Sequence, residues 1–229
     1  MSDTKTPAKI IAVVNQKGGS GKTTLSMQLA GTLGMKGFDV AVVDADPQAT
    51  ASTWSAQASD EKPFPASVFN LSAAGGKIHL EIKKLIDKYD FIIIDCPPSV
   101  ESVIPQSALL IADLALIPVI PALGDAWATK GMEELIQRVR GVRPDLEAKL
   151  VINQLQPNTN ISQTMNQFLH EGFAVQPAKA TFGFRTAYKE SQAGMTVHDL
   201  GMHRAEAAIN EVLLLTNEVI AILGVNPLN

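Results

Sequence analysis

The chain has 229 residues, 46% of them hydrophobic, with a formal charge of −4 at pH 7. This length can bury a sizeable core, so we expect one domain over residues 1–229 with a flexible start at 1–8. No apolar run approaches the ~20 residues of a membrane span and the start lacks a secretory segment, which predicts a cytoplasmic protein. The single cysteine, Cys96, excludes an internal disulfide and disfavours an iron–sulfur site.

Strands and helices alternate along the chain. Short, apolar, β-branched runs predict strands at 9–15, 39–44, 90–95, 113–119 and 149–153. Helix candidates lie near 23–36, 76–88, 125–140, 161–171 and 203–223, and the stretch 52–70 is interpreted as a surface excursion. The alternation predicts an α/β fold, a doubly wound and mostly parallel sheet flanked by helices, with its ligand at the carboxyl ends of the strands.

The segment from Asn15 to Thr24 reads NQKGGSGKTT and predicts a phosphate-binding loop. Glycines let backbone N–H groups approach phosphate oxygens, and the following helix adds the positive end of its dipole. Lys22 would reach the β- and γ-phosphates, and the Thr23 hydroxyl would contact Mg²⁺. The ordinary loop has glycine at position 16, whereas this chain has Gln16 and an additional Lys17. Lys17 alone could equally be a solvated loop lysine.

Acidic residues follow two of the predicted strands. Asp44 and Asp46 stand at the tip of the second strand, where carboxylates can hold the waters of a metal or orient an attacking water. The alternative is a turn aspartate that caps a helix. Asp95 follows four bulky apolar residues and would be costly if buried alone, so a Mg²⁺-bound water is a natural partner.

The run from Lys17 to Thr23 resembles the deviant Walker A motif of the ParA/MinD family of ATPases, with a matching Walker A′ segment at 44–48 and a Walker B pattern at 91–99. The resemblance implies a P-loop fold in which ATP joins two subunits and Lys17 reaches the partner's phosphates. It implies that Asp46 orients the hydrolytic water and Asp44 supports the metal shell. It implies nucleotide contacts from Lys17, Gly18, Gly19, Ser20, Gly21, Lys22, Thr23 and Thr24, catalytic roles for Lys17, Lys22 and Asp46, and Mg²⁺ contacts from Thr23, Asp44 and Asp95, partly through water.

The same resemblance extends downstream. Asn153 matches the family position that hydrogen-bonds adenine, although an asparagine there could simply form the turn after its strand. Pro118 falls in a conformationally responsive segment near the base, which implies that it contacts the nucleotide. The segment 184–190 resembles the one after the sixth strand of short ParA proteins, which implies DNA contacts from Arg185 and Lys189, with Arg204 nearby. The alternative is a solvated amphipathic turn.

These features favour a short ParA-type ATPase without an N-terminal helix-turn-helix. It would dimerise on ATP, bind DNA non-specifically and position a plasmid, chromosome region or protein assembly, with a ParB-like or adaptor protein stimulating hydrolysis. The net charge argues against a strong constitutive DNA binder, yet all five arginines lie in the second half. A nucleoid-associated cytoplasmic protein is therefore expected.

Two other functions remain open. A MinD-like membrane-cycling ATPase needs a basic amphipathic helix, and residues 218–229 contain no Lys or Arg. An ATP-dependent metabolic synthetase on the same scaffold would turn over without DNA or a protein activator.

Overall fold

A computed structural model describes residues 6–99, 101–156 and 160–226. Its centre is a seven-stranded sheet in the order β3-β2-β4-β1-β5-β6-β7, and every neighbouring pair is parallel. The strands are β1 (Lys9–Val13), β2 (Val40–Asp44), β3 (Ser67–Asn70), β4 (Phe91–Asp95), β5 (Leu114–Val119), β6 (Glu147–Leu155) and β7 (Pro177–Gly183).

Helices cover both faces of this sheet. They are α1 (Lys22–Met35), α2 (Thr50–Ala56), α3 (Ile78–Lys83), α4 (Val103–Leu109), α5 (Leu123–Ala128), α6 (Lys130–Arg140), α7 (Asn160–Gly172), α8 (Thr186–Glu190) and α9 (Met202–Ile222). One hydrophobic core joins the sheet to α1, α2, α8 and α9, and a second joins the opposite face to α3 through α7. The doubly wound architecture predicted from the alternation is confirmed.

The central strands are buried on both faces. In β1, Ile11 and Val13 enter one core, whereas Ile10 and Ala12 enter the other. Successive side chains of a strand point to opposite faces, so a strand between two helical layers needs apolar residues throughout. This is why the five inner runs are continuously hydrophobic in the sequence.

The carboxyl ends of the inner strands meet at one edge of the sheet. In the parallel register Val13 lies opposite Asp95, and Asp95 lies opposite Asp44 on the next strand. The loop after β1 therefore begins beside two carboxylates. In open parallel sheets this crevice is where ligands bind.

Several predicted boundaries are wrong in detail. The stretch 52–70 contains most of α2 and all of β3, so it is part of the fold and not an excursion, and the helix predicted at 125–140 is two helices. Strand β7 and helices α4 and α8 were not predicted. Of the start predicted to be flexible, residues 1–5 lie outside the described part, whereas Ala8 is buried and donates its N–H to the Ile86 carbonyl at 2.8 Å.

Two compositional expectations can be compared with the structure. Cys96, which directly follows the buried strand β4, is a buried free thiol. Among the described residues, no helix has both the length and the hydrophobicity needed to traverse a bilayer.

Candidate nucleotide and metal site

The glycine-rich loop connects β1 to α1. Gly19 and Gly21 have φ values of +76° and +90°, a region that residues with a side chain rarely adopt. Gly21 also packs against β6, because a Cβ atom there would lie 2.0 Å from Nδ2 of Asn153. Backbone strain and close packing thus both require glycine at position 21, immediately before the first helical residue.

Lys22 is the first residue of α1, and its side chain extends back over the loop. Its side chain is 7% exposed, and its Nζ donates a hydrogen bond to the Lys17 carbonyl oxygen at 3.1 Å. Burial lowers the pKa of Lys22, whereas the nearby carboxylates of Asp95 and Asp46 oppose that shift. A largely desolvated ammonium beside a glycine-rich loop is suited to bind phosphate oxygens, because a nearby anion stabilises its charged form.

Asp95 forms the acidic side of the site. Its carboxylate accepts hydrogen bonds from the Thr23 hydroxyl at 2.7 Å and from the Ser26 hydroxyl at 3.1 Å. Burial raises the pKa of Asp95 to about 7, with a further contribution from Asp44. Hydroxyl and carboxylate oxygens are donors that Mg²⁺ prefers, and Mg²⁺ usually completes its shell with phosphate oxygens and water. Thr23 and Asp95 therefore fit a Mg²⁺ ion held jointly with a nucleotide.

The neighbouring aspartates have protein partners. Asp44 is fully buried, and its carboxylate accepts hydrogen bonds from the N–H of Ser52 at 2.8 Å and the hydroxyl of Ser52 at 2.7 Å. It thus holds the start of α2, as the helix-capping alternative predicts, and its support of a metal shell stays a prediction. Asp46 is half-buried, and its Oδ1 accepts the Gln48 N–H at 2.9 Å.

Lys17 points away from the loop. Its side chain is 47% exposed, and Nζ lies 2.9 Å from Oδ1 of Asp125 on α5. The preceding Gln16 also contacts α5, since its Nε2 donates to the Ala128 carbonyl. Lys17 is therefore not over its own phosphate loop, and contact with a partner's phosphates would require it to leave Asp125.

Asn15 extends this attachment to β5. Its Nδ2 donates to the Pro118 carbonyl at 2.8 Å and lies 3.4 Å from the Thr129 hydroxyl, which begins the next helical segment. Pro118 itself is buried within β5. Three consecutive side chains, from residues 15 to 17, thus fasten the loop to the segment 118–129. The predicted contact of Pro118 with a base stays a prediction.

The end of β6 braces the loop from the other side. Asn153 is 7% exposed, its Nδ2 donates to the Ser20 carbonyl at 2.7 Å, and its Oδ1 accepts the Gln154 N–H at 2.9 Å. Gln154 has φ +58° and donates from Nε2 to the Gly19 carbonyl at 2.8 Å. Both side chains therefore position the phosphate loop.

A cleft leads from the loop toward β7 and α8. Its lining includes Gly21, Thr24, Gln154, Phe184, Arg185 and Lys189. The segment predicted to contact DNA thus borders the predicted nucleotide site. This proximity could not be inferred from positions so distant in the sequence.

The predicted DNA-binding cations have local partners. Arg185 forms a forked contact with Oε1 of Glu211, at 2.9 Å from Nε and 2.6 Å from Nη2. Arg204 contacts Glu190 at 2.8 Å, and the Lys189 ammonium lies 4.8 Å from the centroid of the Phe184 ring. The two arginines are therefore locally neutralised, while Lys189 lies over an aromatic face.

Sequence reasoning missed several contributors, namely Ser26, Asp125, Gln154 and Glu211. Ser26 had a detectable signal, because it is one helical turn beyond Lys22 and faces the same carboxylate as Thr23. The other residues reach the site from distant elements and have no local signal.

Comparison with known proteins agrees with this geometry. The profile of the CobQ/CobB/MinD/ParA nucleotide binding domain matches residues 11–213. The maintenance of carboxysome distribution protein A of Halothiobacillus neapolitanus is 33% identical over 92% of this chain and 95% of its own. The sporulation initiation inhibitor protein Soj of Bacillus subtilis is 31% identical over 63% of this chain and 70% of its own.

Solved structures share the fold. An ATP complex of McdA from Cyanothece has a TM-score of 0.76 and 17% identity, covering 98% of this chain and 99% of that one. MinD from Pyrococcus horikoshii complexed with Mg-ADP has a TM-score of 0.75 and 21% identity, covering 95% and 98%. The chain belongs to the CobQ/CobB/MinD/ParA nucleotide-binding domain family, within its ParA/MinD-type P-loop ATPases.

Proposed function

We propose that this protein is a ParA-type ATPase that binds Mg-ATP, dimerises in the ATP state, binds DNA without sequence preference and positions a cargo. The observation that carries the proposal is the pair of lysines on one phosphate loop with opposite placements. Lys22 is buried over the loop, whereas Lys17 projects outward to α5. This arrangement supports the proposal that Lys22 binds the subunit's own nucleotide and that Lys17, once released from Asp125, contacts the nucleotide of a second subunit.

The hydrolytic chemistry is assigned to residues at the carboxyl edge of the sheet. Thr23 and Asp95 would hold Mg²⁺, which supplies charge stabilisation to the phosphates when bound. Lys22 would bind phosphate oxygens, and Asp46 would orient the attacking water. Asp46 is partly exposed and close enough to Lys22 to oppose the lowering of its pKa, so its carboxylate could reach a water near the terminal phosphate.

DNA binding is assigned to Lys189, Arg185 and Arg204. The pair of Arg204 with Glu190 is exposed, at 64% and 45% of the side chains, so a DNA phosphate can replace the glutamate at little cost. Arg185 is held more firmly by Glu211. We therefore expect DNA binding to be weak and sensitive to salt, and to require a dimer, in which this surface is present twice. Such binding would associate the protein with the nucleoid.

The cargo and partner are proposed from relatives. Matches include a carboxysome distribution protein and a chromosome-partitioning ATPase of the Soj type from Treponema pallidum. We therefore propose a large assembly or a DNA region as the cargo, and an adaptor or ParB-like protein as the activator of hydrolysis.

The test uses Asp46→Ala, which removes the water-orienting group but no ground-state contact with nucleotide. Size-exclusion chromatography with light scattering should find a dimer of this variant in Mg-ATP and a monomer in Mg-ADP. Lys17→Ala in the same background should remain monomeric. A monomer in both nucleotides, or wild-type turnover by Asp46→Ala, would contradict the assignment.

The dimer that Asp46→Ala forms in Mg-ATP can then be used to distinguish the candidate functions. Fluorescence titration with duplexes of unrelated sequence should give similar affinities that fall steeply with salt. Arg185→Ala with Lys189→Ala should reduce binding while the dimer persists. A metabolic synthetase predicts no ATP-dependent DNA binding, so the absence of binding at low salt would favour that alternative.

A further inference from the structure

Two hydroxyl groups of α1 converge on the carboxylate of Asp95. Thr23 and Ser26 stand three residues apart on the helix, a spacing that places side chains on the same face. The Thr23 hydroxyl donates to Oδ2 at 2.7 Å, and the Ser26 hydroxyl donates to Oδ1 at 3.1 Å, so each carboxylate oxygen has a donor. Asp95 is 1% exposed and Ser26 is fully buried. Bulk water therefore cannot easily replace the Ser26 hydroxyl at Oδ1.

The Ser26 hydroxyl has two acceptors within reach. Its oxygen also lies 3.0 Å from the carbonyl oxygen of Lys22, the usual partner of a serine one turn further along a helix. A hydroxyl carries one proton, so it can donate to only one of the two acceptors at a time. A carboxylate is a stronger acceptor than a backbone carbonyl, because charge-assisted hydrogen bonds are about twice as strong as neutral ones. Asp95 is therefore the preferred acceptor of the Ser26 proton.

Only one of these two hydroxyls is also assigned to the metal. In the proposed site Thr23 contacts Mg²⁺ as well as Asp95, whereas Ser26 has no assigned contact with the ion. A group that hydrogen-bonds to a metal ligand fixes the orientation of that ligand. Without the Ser26 hydroxyl, Oδ1 of Asp95 would lose its donor in a place that bulk water hardly reaches, and the carboxylate could turn. The orientation of Asp95 toward Thr23 thus depends on Ser26.

We infer that Ser26 is a positioning residue for Asp95 and that it strengthens the Mg²⁺-dependent part of nucleotide binding. This inference rests on the proposed binding of Mg²⁺ together with a nucleotide, and it adds a residue that lies outside the phosphate-loop motif. Ser26 acts through Asp95 and contacts neither the phosphates nor the ion. Its removal should therefore weaken binding of the nucleotide with Mg²⁺ and leave binding of the nucleotide without Mg²⁺ unchanged.

The experiment measures the affinity for ADP by calorimetry, once with Mg²⁺ and once with EDTA, so that hydrolysis does not interfere. Ser26→Ala should weaken Mg-ADP binding by about 10- to 100-fold, the usual range for a group that orients a metal ligand. Its affinity for ADP in EDTA should match that of the wild-type protein. Thr216→Val is the matched control, because it removes a buried hydroxyl on α9 that donates to the Val212 carbonyl at 2.8 Å. That hydroxyl makes the same helical contact without a carboxylate, so both affinities should be unchanged.

A double-mutant cycle tests whether Ser26 acts through Asp95. Asp95→Asn alone should weaken Mg-ADP binding, because the charged ligand is lost. Adding Ser26→Ala to this variant should cause little further loss, since the group that the hydroxyl positions is already gone. The two losses should therefore not add.

Three other results would overturn the positioning role. They are an unchanged Mg-ADP affinity in Ser26→Ala, an equal loss of affinity with Mg²⁺ and with EDTA, and additive losses in the double variant. An equal loss would mean that the hydroxyl only supports the start of α1. Wild-type protein that binds ADP under neither condition would refute the proposed nucleotide binding itself, a result that differs from a failure confined to Ser26.

Discussion

Replacing Asp125 by asparagine should strengthen the ATP-dependent dimer. The ion pair of Lys17 with Asp125 has an N–O distance of 2.9 Å, and the side chains are 47% and 21% exposed. Pairs at such exposure contribute about 0.2–1 kcal/mol. If Lys17 must leave Asp125 to contact the partner's phosphates, this cost opposes dimerisation once in each subunit. Removing both pairs should then favour the dimer by about 0.4–2 kcal/mol, or about 2- to 30-fold in dissociation constant.

Light scattering over a concentration series in Mg-ATP measures this effect in the Asp46→Ala background, where hydrolysis does not interfere. The difference between Asp125→Asn and its parent should shrink at high salt, because the exposed pair is screened. Asp145→Asn removes the partner of Arg143, a contact outside the nucleotide site, and should leave the dimer unchanged. An unchanged or weaker dimer in Asp125→Asn would refute the idea that Asp125 restrains Lys17.

Three further predictions concern the loop and its acid. Lys22→Ala should weaken Mg-ATP binding by at least about tenfold in calorimetry, because a desolvated charge-assisted contact is lost; unchanged affinity would remove Lys22 from the phosphate site. Gly21→Ala should lower the unfolding temperature more than Gly19→Ala. Both positions have positive φ, but only at position 21 would the added Cβ atom lie 2.0 Å from Nδ2 of Asn153. Equal decreases in unfolding temperature would contradict this packing. Asp95→Asn should stabilise the nucleotide-free protein above pH 7 by up to about 4 kcal/mol and should give no gain near pH 4. The reason is that the pKa of the Asp95 carboxyl rises from 3.8 to about 7 on folding, so the ionised carboxylate destabilises the fold as pH increases through that range. Denaturant unfolding at several pH values would reveal the trend, and a gain independent of pH would exclude this cause.

The inner part of the fold was predictable because burial on both faces forces continuous apolar runs. The two strands that were missed, β3 and β7, are the two edges of the sheet. An edge strand needs fewer apolar residues, and none of the four residues of β3 is fully buried. The short helix α8 has five residues, too few to display a helical period.

Local motifs indicated the phosphate loop and its acids, since their chemistry is contained in adjacent residues. The partners of those residues could not be predicted. Asp125 lies more than a hundred positions from Lys17, and Glu211 lies 26 positions from Arg185. Neither carboxylate stands in a recognisable pattern. The local charge of the predicted DNA surface, which depends on such pairs, therefore became visible only in three dimensions.

The attachment of residues 15–17 to the segment 118–129 also gives the protein a built-in optical reporter. Of its two tryptophans, Trp127 lies within that segment and is 60% exposed, with its ring 5.9 Å from that of Phe168. Trp54 is 2% exposed, and its indole N–H donates to the Met195 carbonyl, so its emission should serve as a constant background. A change in emission wavelength on adding nucleotide would thus report a change in the surroundings of Trp127 on α5 in the unlabelled protein.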